Sequence, residues 1–274
     1  MTLPQPRTDD GATALRCLLN APSGAVLAFD FDGTLAPIVP DPRDARAHPR
    51  VIPELAALGR LVGATVIVTG RPADVAVSYG GLDGVAGIVV LGHYGLDRWE
   101  NGRHTAPEPP AGVRAVRAQL PDLLDRTGAP EGTWVEDKGH ALAVHTRRTA
   151  DPDSALELLR SPLRALAERQ GLVVEPGRMV IELRPPGMDK GTALRRFVAD
   201  RGGTAVLYAG DDLGDLAAFD AVRDLRDQGV AGLTVCSGST EVAALAERAD
   251  LVVDGPDGVA DLLSELRAAL TARG

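Results

Sequence analysis

Asp30-Phe31-Asp32-Gly33-Thr34-Leu35 sets two carboxylates two residues apart at the end of the apolar run Ala25 to Asp30. Alternate side chains of an extended chain share a side, so Asp30 and Asp32 enter one pocket. There, one carboxylate can attack phosphorus while its neighbour protonates the leaving oxygen and later activates water. An isolated Asp-x-Asp after a strand is as often an ordinary turn. Three further clusters shift that balance. Thr69-Gly70-Arg71 ends the run Thr65 to Thr69 and offers a hydroxyl and helix-opening N–H groups to a phosphoryl oxygen. Asp189-Lys190-Gly191 opens a helix with an ammonium that can offset the charge of a nucleophile facing a phosphate. Gly210-Asp211-Asp212-Leu213-Gly214-Asp215 follows another apolar run and carries the oxygen donors that suit a hard cation such as Mg²⁺. Each cluster alone has a plain structural explanation as a helix start, a solvated charge or a helix cap. Their joint placement at strand ends and helix starts points to the edge where open α/β sheets hold ligands.

The elements that must carry these groups are legible in the hydrophobic pattern. A helical stretch near Ala12 to Leu19 precedes the strand ending at Asp30. A helix over Ile52 to Leu61, the strand Thr65 to Thr69, a helix from Pro72 and the strand Ile88 to Leu91 follow. The rhythm returns from Lys190: a helix to Asp200, a strand over Ala205 to Ala209, a helix to about Leu225 and a strand over Leu233 to Cys236. Helix Thr240 to Arg248, strand Leu251 to Val253 and helix Val259 to Ala269 complete it. Alternating strands and helices predict an α/β fold with a Rossmann-like parallel-sheet core. Between Pro107 to Pro110 and Pro185-Pro186 the pattern changes to helix Val113 to Arg126, strands Thr133 to Asp137 and Ala141 to Thr146, helix Pro152 to Arg169, and strands Leu172 to Glu175 and Met179 to Leu183 around a Pro176-Gly177 turn. This αββαββ segment is expected to be an inserted cap domain at 109–185, between core segments 1–108 and 186–274.

Composition narrows the partners. A net charge of −9 argues against nucleic-acid binding, which needs clustered Lys and Arg. The chain has no uncharged stretch approaching the ~20 apolar residues of a membrane span. Cys17 and Cys236 lie far apart without metal-type spacing, so neither a disulfide framework nor a zinc site is implied. The expectation is a soluble, cytoplasmic protein, taken as a monomer, acting on a small molecule.

In their order the four clusters resemble the motifs of the haloacid dehalogenase superfamily. That resemblance implies Asp30 as nucleophile, Asp32 as acid and base, and Thr69 and Lys190 as phosphoryl ligands. It also implies a Mg²⁺ site drawn from Asp30, Asp32, Asp211 and Asp215. The insert falls between Thr69 and Lys190, the position of the superfamily's second cap type. Gly92-His93-Tyr94-Gly95, Val135-Glu136-Asp137-Lys138, Ala143-Val144-His145-Thr146-Arg147 and Val180-Ile181-Glu182-Leu183-Arg184-Pro185 resemble the trehalose-phosphatase family in particular. That likeness implies sugar-phosphate contacts from Arg71, His93, Lys138, His145, Arg147 and Glu182. It implies Mg-dependent hydrolysis of trehalose 6-phosphate through an aspartyl phosphate, the last step of trehalose biosynthesis. Gly214 and Leu216 depart from the Thr and Glu that many members carry beside the last acid. Two other readings remain open: a phosphatase of the same cap type acting on sucrose phosphate or a hexose phosphate, and a non-catalytic module that binds a sugar phosphate.

Overall fold

Residues 3–177, 179–238 and 243–273 are described by the structure, a computed structural model. The chain divides into two compact units, Met1–Thr105 with Asp189–Gly274, and Ala106–Met188 between them. The junctions fall a few residues from the boundaries expected at 108/109 and 185/186. The first segment runs α1 (Asp9–Asn20), β1 (Ala25–Phe29), α2 (Val51–Leu58), β2 (Ala64–Val68), α3 (Ala73–Gly80), β3 (Ile88–Gly92), β4 (Asp97–Glu100) and β5 (Arg103–Thr105). The insert follows with α4 (Ala111–Thr127), β6 (Trp134–Asp137), β7 (Leu142–His145), α5 (Pro152–Arg169), β8 (Val173–Gly177) and β9 (Val180–Arg184). The last segment runs α6 (Lys190–Arg201), β10 (Ala205–Gly210), α7 (Leu216–Asp227), β11 (Ala231–Ser237), α8 (Ala243–Arg248), β12 (Leu251–Val253) and α9 (Gly255–Thr271).

In the first unit the sheet order is β12-β11-β10-β1-β2-β3-β4-β5, with β1 at its centre between β10 and β2. All five residues of β1 are buried, which is why AVLAF reads as a continuous apolar run rather than an alternation. Its side chains nonetheless sort by side. Leu27 and Phe29 join the core lined by Leu15, Leu55 and Leu263, from α1, α2 and α9. Val26 and Ala28 join the opposite core with Leu194, Val222 and Leu245, from α6, α7 and α8. A strand buried on both faces presents only its carboxyl end to ligands, and that end is where the chemistry-bearing residues sit.

Two expectations need correcting. The sheet is parallel from β12 to β3 but turns antiparallel at β4 and β5, which the sequence reading missed. Those strands read DRWE and RHT, too short and charged to show an apolar period. Pro176 and Gly177 do not form the hairpin turn; they belong to β8 and pair with Ile181 and Val180. A proline is tolerated there because β8 is an edge strand. The helix expected from Thr240 has its start outside the described residues.

In the insert, β6-β7-β9-β8 form an antiparallel sheet. Leu142, Val144, Ile181 and Leu183 point to one face and share a core with Val113, Val116 and Leu120 of α4 and Leu159, Leu163 and Leu166 of α5. By alternation the other face carries Trp134, Glu136, His145 and Glu182.

Candidate active site

One hydrogen bond beyond β1, from Asp30 N to Ala209 O at 2.8 Å, continues the parallel ladder and places the Asp30 carboxylate at the sheet's carboxyl edge, 4% exposed. Asp211 follows β10 on the adjacent strand. Lys190 arrives from the other direction as the first residue of α6, whose start is fixed by Asp189 accepting from Thr192 N at 2.7 Å. Its ammonium lies 2.8 Å from Asp30 Oδ1 and 2.7 Å from Asp215 Oδ1.

Asp215 is wholly buried and accepts four hydrogen bonds. Lys190 and Tyr208, at 2.7 and 2.6 Å, reach Oδ1; the N–H groups of Asp211 and Asp212, at 2.9 and 3.1 Å, reach Oδ2. A carboxylate offers about four lone-pair directions, and here all are used. Burial alone would push Asp215 up, but Lys190 and these donors hold it below its ordinary range. Asp30 goes the other way: burial raises it well above the carboxylate range, opposed by Lys190 and reinforced by Asp215 and Asp211. Burial, with the charges of Asp215 and Asp212, lifts Asp211 to about 7.

Asp30, Asp211 and Asp215 each bring a carboxylate oxygen within 4.8 Å of the others. Of these, Asp30 and Asp211 fit a hard divalent cation, since both are buried oxygen donors whose raised values mark uncompensated negative charge. With its acceptor directions filled, Asp215 holds the ammonium and the Asp211 backbone in place. Gly33 brings the loop after β1 against Asp211: a Cβ there would lie 2.0 Å from Asp211 Oδ2, and its φ of +75° favours glycine.

Asp32 is held by a bidentate fork from Arg71, with Nε at 2.7 Å from Oδ2 and Nη2 at 2.6 Å from Oδ1. Arg71 also donates through Nη1 to Pro42 O at 2.9 Å and lies over the Tyr79 ring, 5.4 Å from its centroid. The Thr69 hydroxyl accepts from Arg71 N at 3.2 Å, at the buried start of the loop. His93, which sequence reasoning assigned to the sugar phosphate, is 4% exposed and turns Nδ1 toward Asp97 Oδ1 at 3.3 Å. It and Tyr94 adopt left-handed φ values of +46° and +56°, at a cost of order 1–3 kcal/mol each that the surrounding contacts must offset.

Within the insert, Lys138 pairs with Glu182, and His145 Nε2 lies 2.9 Å from Glu136 Oε2. The His145 ring stacks on Trp134 at a centroid distance of 3.9 Å, while Arg147 is exposed beyond the end of β7. Sequence reasoning did not single out Tyr208, Ser237, Asp97 or Trp134. A tyrosine in the wholly buried strand AVLYAG was the available signal, since a buried phenol needs a partner. Ser237, donating to Gly33 O at 2.8 Å, gave none.

A family model described as Trehalose-phosphatase matches residues 28–253. The trehalose-phosphate phosphatase of Mycolicibacterium paratuberculosis is 39% identical over 213 residues, covering 74% of this chain and 52% of that protein. The trehalose-phosphate phosphatase of Mycobacterium marinum is 35% identical over 268 residues, 93% of this chain and 64% of that protein. The chain thus spans between 52% and 64% of the length of these curated relatives. Among solved structures, a trehalose-6-phosphate phosphatase related protein superposes with a TM-score of 0.70 at 25% identity, covering 91% of this chain and 100% of that one. The C-terminal domain of Candida albicans trehalose-6-phosphate phosphatase shares the fold, with a TM-score of 0.75 at 21% identity over 98% of this chain and 99% of that one.

Proposed function

This chain belongs to the trehalose-phosphatase family, and from that premise we propose that it hydrolyses trehalose 6-phosphate to trehalose and phosphate, carrying the phosphoryl group on Asp30. The observation that carries the reading is the buried Asp30 carboxylate held 2.8 Å from Lys190 Nζ beside Asp211.

In the first step an Asp30 oxygen bonds to phosphorus as the bond to the sugar oxygen breaks, and Asp32 passes its proton to that oxygen. In the second, Asp32 takes a proton from water as the water oxygen attacks phosphorus, which releases phosphate and restores Asp30. Lys190 and the Thr69 hydroxyl hold phosphoryl oxygens. Such a reaction is mainly a matter of positioning and charge, because nucleophile and substrate are both anionic. Asp30, Asp211 and the Asp32 carbonyl would hold Mg²⁺, which when bound supplies charge neutralisation at the phosphoryl oxygens. Arg71 grips both oxygens of Asp32, so proton donation requires one of the two bonds to be released; a dianionic substrate competes for the same guanidinium. Lys138, His145, Arg147 and Glu182 are proposed to read the sugar hydroxyls.

Phosphate release from trehalose 6-phosphate, sucrose 6-phosphate and glucose 6-phosphate, with Mg²⁺ and with chelator, tests this. Trehalose 6-phosphate should be strongly preferred and turnover should vanish with chelator. Asp30→Asn should fold and release no phosphate. Equal rates on glucose 6-phosphate remove the substrate assignment; a wild type inert toward all three with Mg²⁺ removes the enzyme reading.

A further inference from the structure

Asp97 opens β4 and turns a carboxylate, 2% exposed, under the loop that carries Arg71. Its Oδ2 accepts from Ala73 N at 2.9 Å, the first N–H of α3, and from His104 Nε2 at 3.0 Å. Its Oδ1 faces His93 Nδ1 at 3.3 Å, and the backbone N–H of that same His93 donates to Arg71 O at 2.9 Å. Asp97 therefore holds the loop at two points, Ala73 N directly and Arg71 O through His93. Tyr94 N adds a bond to Thr69 O at 3.0 Å, so the left-handed turn after β3 and the loop after β2 are tied together. Gly92 makes the approach possible: a Cβ there would stand 2.2 Å from Asp97 Oδ1 and 2.3 Å from Ala73 N. An oxygen of the exposed Asp74 lies within 4.8 Å of an Asp97 oxygen and a His104 ring nitrogen. Burial opposes the charge on Asp97, yet the hydrogen bonds from His93, Ala73 and His104 hold the group below its ordinary carboxylate range.

This arrangement ends on the backbone of the loop after β2. Its output is the position of the Arg71 guanidinium, and Arg71 in turn sets the plane of Asp32 through two bonds. We infer that Asp97 is a positioning residue for the proton-donating step, acting on Asp32 through the Arg71 loop. The inference rests on the hydrolase reading of the Asp30 pocket and adds to it the group that orients the acid.

A role through the acid has a signature that a general loss of structure lacks. A sugar alkoxide needs a proton as it leaves, whereas p-nitrophenolate leaves without one; general acid catalysis is worth about 10²–10⁴ where it is needed. The experiment compares kcat/KM of wild type and Asp97→Asn on trehalose 6-phosphate and on p-nitrophenyl phosphate, both with saturating Mg²⁺, and records the melting temperature. The expected result is a loss of about tenfold or more on the sugar phosphate with less than about threefold on the aryl phosphate. An equal loss on both esters, or none on either, overturns the inference. If Asp97→Asn does not fold, His104→Gln decides by the same ratio, since His104 is half-exposed on the edge strand β5 and leaves the other two contacts intact; a selective loss is again expected, and an unselective one overturns it. Should the wild type prefer another sugar phosphate, the substrate assignment fails while the alkyl-to-aryl ratio measured on that ester still decides the role of Asp97. A wild type inert on every ester removes the reading of the pocket and this inference with it.

Discussion

Tyr208 and Asp215 show how buried groups can govern the side chain proposed to hold the phosphoryl group. Tyr208 is wholly buried and its hydroxyl is one of four donors on Asp215, which in turn holds Lys190. Hydrogen bonds to charged groups contribute about 1.5–3 kcal/mol. Tyr208→Phe should therefore lose stability of that size in urea unfolding, and slow turnover with little change in KM; unaltered stability would mean that three donors suffice. The raised acids give a second expectation. In the unfolded chain Asp30 and Asp211 titrate near pH 4, whereas in the folded, metal-free protein Asp211 titrates at about 7 and Asp30 well above its ordinary value. Across that window the folded state binds more protons, so stability rises as pH falls. Without metal, the melting temperature should climb from pH 8 to pH 5; Mg²⁺ should raise it strongly at pH 8 and much less at pH 5. A flat metal-free profile would remove the charge imbalance on which the cation site is argued. The residues that reach this edge of the sheet were legible because motif spacing reports strand alternation and helix starts. Asp97 and Ser237 were not, because what they do depends on neighbours distant along the chain.

Elements differ in how openly they declare themselves. Strands β1, β2 and β10 are buried on every residue and read as unbroken apolar runs. In contrast, β4 and β5 are held by pairing to β3 and to each other, with Trp99 the one large apolar side chain they contribute. Their existence is a tertiary fact, and so is the placement of Asp97 at the first residue of β4. Pro176 misled for the same reason, since an edge position cannot be told from a turn by residue type alone. Loop elements make their own prediction. Gly33→Ala would set a methyl group against the Asp211 carboxylate on a backbone that favours glycine. The Mg²⁺ concentration for half-maximal activity should rise about tenfold or more; an unchanged value would show that the loop gives way without moving Asp211.

The two units have separate cores, and each contains one of the chain's two tryptophans, Trp99 in the first and Trp134 in the insert. Replacing Leu163, wholly buried between α5 and the insert sheet, by Ala should cost about 2–5 kcal/mol. Fluorescence of Trp134 in a Trp99→Phe background should report that loss, while Trp99 in a Trp134→Phe background should unfold at nearly its original midpoint. Coincident shifts of both probes would mean that the units melt as one.

The order of strands has a consequence for how the protein comes into being. On a ribosome β1 emerges before β10, the neighbour that completes its ladder, with the whole insert synthesised in between. Closing so distant a pairing is entropically slow. A nascent chain stopped before Ala205 would own Asp30, β2 and the insert but neither the second neighbour of β1 nor Asp211. Competence should thus emerge as a late kinetic phase during refolding, after most helical signal has returned.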